Sequence, residues 1–277
     1  MPTLNCISGF ITLFQICGLC SAYQKDQKSN QYYIIIWSLC HISIIFMILG
    51  LVYFYYNTIV YAADAMAQFS DIIQILAPIT THFIMIVSGI ICRERDIKIW
   101  NDISKIDNIL HKYYDLEEES RSLIRDYLRQ FILLHAIGLL PELYIIVSLN
   151  REIGNQWVLT FYIRLFSFVS VRMGIMYYML YIKYLESRHK IVGELFILYD
   201  KEPEVQKFTK NINPIYEFIK EMKFVTVILS RITDNINGRF GISLIALMIN
   251  LFICITVDLY WVIRKIWLVN LRRLKRK

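Results

Sequence analysis

Polar and ionisable side chains inside long apolar runs are the first candidates for chemistry in this sequence. Such groups are costly in hydrocarbon and normally face protein or a water-filled interior. Glu142 stands in YLRQFILLHAIGLLPELYIIVSL (127–149), and Arg164 stands in WVLTFYIRLFSFVSVRMGIMYYMLYI (157–182). Each lies seven residues from the facing end of its run, roughly 10 Å along a helix axis. Antiparallel neighbours would bring the two charges together as an ion pair; the alternative has each reach water separately in a wet vestibule. Arg164, Phe168 and Arg172 recur every four residues, as do Gln74, Pro78 and His82, so each trio shares a helical face. Tyr144, Tyr162, Asn250 and Asp258 occupy further positions in the apolar runs.

Covalent chemistry has no comparable signature. No Gly-rich phosphate loop, His-Glu-x-x-His or Gly-x-Ser-x-Gly occurs, and His41, His82, His111, His135 and His189 are scattered. Neither enzyme activity, a cofactor nor a metal is expected. The CGLC stretch (17–20) has metal-site spacing, but no second ligand pair stands near it, and two small apolar fillers on one helix face explain it.

These side chains need helices to hold them, and the composition says which kind. Hydrophobic residues make up 56% of the 277, more than a soluble domain of this length carries. They come in blocks separate from the charges, which is the pattern of an all-α polytopic membrane protein. Five spans are predicted, at 32–56, 69–92, 127–149, 157–182 and 240–263, with aromatic anchors at the ends of the first. The net charge of +7 reflects basic residues flanking spans, so no nucleic-acid partner is required.

Charge along the connections sets the orientation. Residues 57–68 and 150–156 are short and nearly free of Lys and Arg, whereas 93–126 carries Arg93, Arg95, Lys98, Lys105, Lys112, Arg121 and Arg125. The segment 183–239 is basic as well. Basic connections belong in the cytoplasm, so the amino terminus is expected inside. Residues 1–31 then form a cytoplasmic or interfacial segment before the membrane unit 32–182. Both inner connections carry apolar stripes at three- and four-residue spacing, such as Ile99, Ile103 and Ile106. They are expected to be long helical extensions of the second and fourth spans, packed as a cytoplasmic bundle. A helix lying on the membrane surface is the alternative.

Three stretches carry a family resemblance. FQICGLCSAY (14–23) resembles the short Gly-Leu motif before the first span of insect gustatory receptors and their odorant-receptor relatives. LESRHKIVGELFILYD (185–200) resembles the cytoplasmic extension after their fourth span. LSRITDNINGRFGISLIALMINLFICITVDLYW (229–261) resembles their entry into the fifth span, which ends in an aromatic such as Tyr260. The layout is similar over nearly the whole chain.

That resemblance implies a chemosensory receptor subunit of a plasma-membrane, ligand-gated cation channel. Its expected ligand is a small-molecule tastant, and its expected assembly is a homo- or hetero-oligomer, a tetramer in the family, with other receptor subunits. Ligands of the family enter an outer-facing pocket, which makes Gln74, His82, Glu142, Tyr144, Tyr162, Arg164, Phe168, Asn250 and Asp258 the expected lining. The family continues through two more spans, the last lining the pore with a Thr-Tyr…Gln-Phe signature that does not occur here. A truncated chain is therefore expected, and a non-conducting subunit or a small transporter or scaffold are the other readings. No internal repeat supports a transporter. The basic tail 264–277 would fall outside the cell, and IWLVNLRRLKRK is expected to fray beyond the fifth helix.

Overall fold

Stripes of apolar residues at three- and four-residue spacing make helices whose buried faces then choose their neighbours. In the computed structural model, residues 2–19, 28–55, 65–153, 156–201 and 213–274 are described, and every regular element among them is an α-helix. These are α1 (Pro2–Ile16), α2 (Lys28–Phe54), α3 (Ala65–Ile91), α4 (Arg93–Leu110), α5 (Leu116–Ile153), α6 (Gln156–Lys201) and α7 (Asn213–Leu274).

Helix ends follow local chemistry. Gly18 takes φ +71, and the Leu19 and Gly18 N–H groups donate back to the Phe14 and Gln15 carbonyls at 2.9 Å each. This is a glycine-terminated Schellman ending. Asp115 precedes α5 and its carboxylate accepts the Glu117 N–H at 3.0 Å, capping the helix, with Glu117, Glu118 and Glu119 in the first turn where the dipole favours them. Pro214 sits in the first turn of α7, where a missing N–H costs no bond.

Four helical segments are long and apolar enough to cross a membrane: Ile36–Phe54, Gln68–Ile91, Leu165–Tyr199 and Tyr216–Arg264. Four of the expected spans overlap them, with the expected 157–182 and 240–263 falling within longer apolar helices. The expected third span, 127–149, is helical within α5, and its side chains from residue 141 onward lie outside the described residues.

Three expectations change. The second span does not extend as one helix, because Cys92 (φ −91, ψ 15) interrupts the chain between α3 and α4. The expected fifth span, 240–263, is not a separate helix but continues the helix before it: α7 runs unbroken from Asn213, although residues 202–212 lie outside the description. Nor does the basic tail fray within the described residues, since α7 stays helical through Leu274. The Leu and Trp residues among its charges are good enough helix formers to continue an existing helix, even where Trp267 is exposed.

α7 is the axis. α3 and then α4 run antiparallel along it, α6 packs beside it, and α5 pairs with α6. The main core gathers Ile7, Ile11 and Phe14 of α1 with the α4 stripe Ile99–Trp100–Ile103–Ile106–Leu110. It closes over Tyr177, Tyr181 and Tyr184 of α6 and Val225, Ile228, Ile232, Ile236 and Phe240 of α7. α1 is thereby built into the bundle against α4, α5 and α6. A second, smaller core joins α2 to α3 through Ile45, Ile48, Ile75, Ile79 and Ile86.

In the main core, Arg188 and Asp107 are both buried and paired at 2.9 Å, with the Tyr184 hydroxyl donating to the same carboxylate oxygen at 3.1 Å. Removing one partner of such a pair strands the other. Arg188→Ala should cost about 3–5 kcal/mol, measured as thermal unfolding of the detergent-solubilised protein. The apolar replacement Arg188→Met with Asp107→Leu should recover most of that loss. Equal stability of Arg188→Ala and the parent would refute the assignment.

Candidate functional site

Two sets of polar groups matter, one at each end of the α3–α4–α7 stack. At the end where α3 meets α4, α7 brings Arg239 into the packed interior, with 2% of its side chain exposed. A buried guanidinium must find partners for its donors. Its Nε donates to Asp96 Oδ2 of α4 at 3.1 Å, its Nη2 to the Leu19 carbonyl at 2.8 Å, and its Nη1 to Ser88 Oγ of α3 at 3.4 Å. The Ser88 hydroxyl in turn donates to the Arg239 carbonyl at 3.1 Å. One side chain thus ties the exit of α1, the end of α3 and the start of α4 to α7.

The clamp continues down α4. Arg231 makes a two-pronged contact with Asp102, 2.7 Å on each prong, the geometry that suits a planar guanidinium. Beyond α4, Lys112 and Tyr113 share the Glu221 carboxylate at 2.6 and 2.8 Å. Burial, with the Glu221 carboxylate beside it, pushes the Tyr113 phenol up to about 12.

At the opposite end of the stack, Gln74 Nε2 of α3 donates to Asp258 Oδ1 of α7 at 3.2 Å. Between the ends, the Thr81 hydroxyl lies 3.4 Å from the Ala246 carbonyl and the Cys92 thiol 3.6 Å from the Gly238 carbonyl. From Gln74–Asp258 to Lys112–Glu221 the partners advance on one strand of the stack as they retreat on the other. This single register runs for roughly 55 Å of helix.

The expected lining residues do not all converge. Gln74 and Asp258 meet. His82 is fully buried and faces elsewhere, toward α2 and α6: its Nδ1 is 3.4 Å from Ser167 Oγ, and its ring lies 5.3 Å from Phe166 and 5.9 Å from His41. His41 itself anchors α2 to the end of α1 by donating from Nε2 to the Ile16 carbonyl at 2.8 Å. Phe168 lies under the Arg172 guanidinium at 3.9 Å, and Arg172 Nη1 reaches the Leu134 carbonyl of α5 at 3.4 Å. Gly138 leaves that guanidinium its room, since a Cβ there would collide with it. Asn250 is contacted within its own helix, its Oδ1 3.8 Å from Cys254 Sγ. The side chains of Glu142, Tyr144, Tyr162 and Arg164 lie outside the described residues. The Gln74–Pro78–His82 trio splits because a helical face is wide: Gln74 and His82, two turns apart, meet different neighbouring helices.

Asp96, Asp102, Asp107, Arg188 and Arg239 are absent from the expected set, yet the sequence carries a signal for them. Asp96 and Asp107 fall in register with the Ile99–Ile103–Ile106–Leu110 stripe, and Arg188 with Tyr184, Ile191 and Leu195. A charge on an apolar stripe announces a buried pair. Counted only as loop charges, these residues speak to orientation alone.

Four helices long and apolar enough to cross a membrane, tied to one another through buried polar pairs, mark a helical membrane protein. The chain is more specific than its class: residues 8–273 match the family described as 7tm chemosensory receptor, and the protein belongs to that family. A search among curated proteins finds no significant match. The three stretches that carry the resemblance to gustatory receptors supply Gly18 and Leu19, then Arg188 of the Asp107 pair, and then Arg231, Gly238 and Arg239 of the clamp.

Lysine cannot reproduce the Arg239 fan of contacts. Arg239→Lys should free the Leu19 carbonyl and expose the neighbouring Cys17, which is a half-buried free thiol. Maleimide labelling of Cys17 in detergent should accelerate severalfold in this variant and not in Arg231→Lys. Unchanged labelling in both would show that the clamp does not hold this segment.

Proposed function

We propose that the chain is a chemosensory receptor subunit of a ligand-gated cation channel in the plasma membrane, with a small-molecule tastant as its ligand. It would lie in the bilayer with the amino terminus inside and five spans, the third formed by 127–149 in α5. The basic connections on one side and the sparse ones on the other support this orientation. Assembly into a homo- or hetero-oligomer with other receptor subunits follows from the family resemblance.

The observation that carries the reading is membership of the chemosensory receptor family over residues 8–273. The geometry adds a location. Gln74 and Asp258 join α3 to α7 at the end remote from the clamp, where a ligand could compete for the same polar groups. A ligand that inserts there would shift α7 against α3, and the unbroken helix would carry the shift to the inner clamp. Recognition by a few polar groups among aromatic and aliphatic ones is how small-molecule sites work.

Two measurements test this reading. Ligand-evoked cation current, recorded over a panel of sugars, bitter compounds and amino acids in cells co-expressing partner subunits, should need about tenfold more ligand after Gln74→Ala or Asp258→Ala, at matched surface expression. Dose–response curves indistinguishable from the parent would remove these residues from the site. Glu142 and Arg164 are proposed to pair in the outer half of the α5–α6 hairpin. Surface expression of the double alanine variant should then fall no further than that of either single variant; strictly additive losses would argue for separate environments.

A further inference from the structure

At the elbow between α3 and α4 the surface opens into a groove of about 600 Å³, whose lining includes Ile90, Ile91, Arg93, Glu94, Arg95 and Lys98. Three cations face it with a single carboxylate. Unlike Arg188, Arg231 and Arg239, which are all matched to aspartates, Arg93, Arg95 and Lys98 take part in no ion pair among the described residues. The nearest acid behind them, Asp96, is engaged by Arg239 and faces inward, being fully buried. Arg93 Nε is itself buried with no hydrogen-bond partner among the described residues.

The elbow holds these cations in place without neutralising them. The Arg95 guanidinium lies directly over Gly238 of α7, where a Cβ would collide with it, and the Cys92 thiol meets the Gly238 carbonyl at 3.6 Å. Gly238 is thus a seat for an arginine side chain. On the α3 side the groove meets the end of a candidate span, Gln68–Ile91, where Ile91 is 75% exposed. Within one helical turn the lining passes from bare aliphatic surface to unpaired positive charge, as the bilayer itself passes from acyl chain to headgroup.

We propose that this groove binds the phosphate headgroup of an anionic phospholipid, with Arg93, Arg95 and Lys98 on the phosphate oxygens and Ile90 and Ile91 along the first acyl carbons. A soluble phosphate offers the same charge but would leave Ile91 bare, so the apolar lip favours the lipid. Assignment to the inner leaflet rests on the orientation proposed above. A bound lipid would brace the elbow, the one break in the stack facing α7.

Native mass spectrometry of the detergent-purified full chain tests this with phosphatidylcholine, phosphatidylserine and phosphatidic acid, and with inorganic phosphate as competitor. The two anionic lipids should be retained in preference to phosphatidylcholine, and Lys98→Glu should weaken their retention more than fivefold, since neutralising one such cation alone is worth about fivefold. Arg93→Gln with Arg95→Gln should weaken it further, and lysine at both positions should restore it. Lys98 is exposed and unpaired, so its variant reports on binding even if the double variant folds poorly. Equal retention of phosphatidylcholine, insensitivity to Lys98→Glu, or displacement by millimolar inorganic phosphate would overturn the proposal. Labelling of Lys98→Cys from outside intact cells would overturn the inner-leaflet assignment and the orientation together, while the detergent measurement still decides headgroup binding.

Discussion

A guanidinium taken out of water must be met on every side, and in this protein that demand organises the fold. Arg239 collects a carboxylate, a hydroxyl and a main-chain carbonyl from three segments of the chain. Buried ion pairs of this kind add little net stability over a well-packed apolar filling. Their effect is on register. Sliding α4 along α7 by one turn would separate both Asp96 from Arg239 and Asp102 from Arg231 and leave charges stranded, so only one alignment is tolerable. The aromatic packing around them, with Tyr177, Tyr178 and Tyr181 all set against Phe240, then fills the space that this alignment defines.

The two ends of the molecule are built differently. Between Asn213 and Phe240 one face of α7, carrying Met222, Val225, Ile228, Leu229, Ile232 and Ile236, is buried in the main core, while Tyr216, Ile219, Phe224 and Val227 are exposed. Beyond Phe240 the same helix turns Ile242, Ile245, Ile249, Phe252 and Leu259 outward, as suits a medium with no need of polar satisfaction. Among the described residues the Gln74–Asp258 bond joins this part of α7 to α3. A polar contact at one end of a helix that carries buried arginine pairs at the other is a sensible arrangement for a family whose members detect chemicals.

Much of this architecture is legible in the sequence. Apolar run length gives the spans, and the three- and four-residue stripes of Ile99, Ile103 and Ile106 give the inner helices, because both signals are local. Breaks are less legible. Nothing in Ile91–Cys92–Arg93 resembles a helix stop, and the elbow exists because α4 must follow the arginines of α7. Conversely, the charges of RKIWLVNLRRL suggest an ending, yet α7 continues through them, since helix propensity outweighs a change of polarity. Candidate site residues were readable as positions on faces but not as partners. Which of Gln74 and His82 meets α7 depends on how three helices cross, and no spacing rule contains that.

The bond between Arg239 and Leu19 joins residues 220 apart in the chain, which bears on how the molecule is made. α1 leaves the ribosome well before α7, with its Schellman ending already able to form from local atoms. Its tether does not exist until 220 further residues have been added after Leu19. Until α6 is made, α1 carries Ile7, Ile11 and Phe14 without their eventual cover. Assembly around Arg239 therefore waits for α7, and an early-made helix is secured only by a much later one.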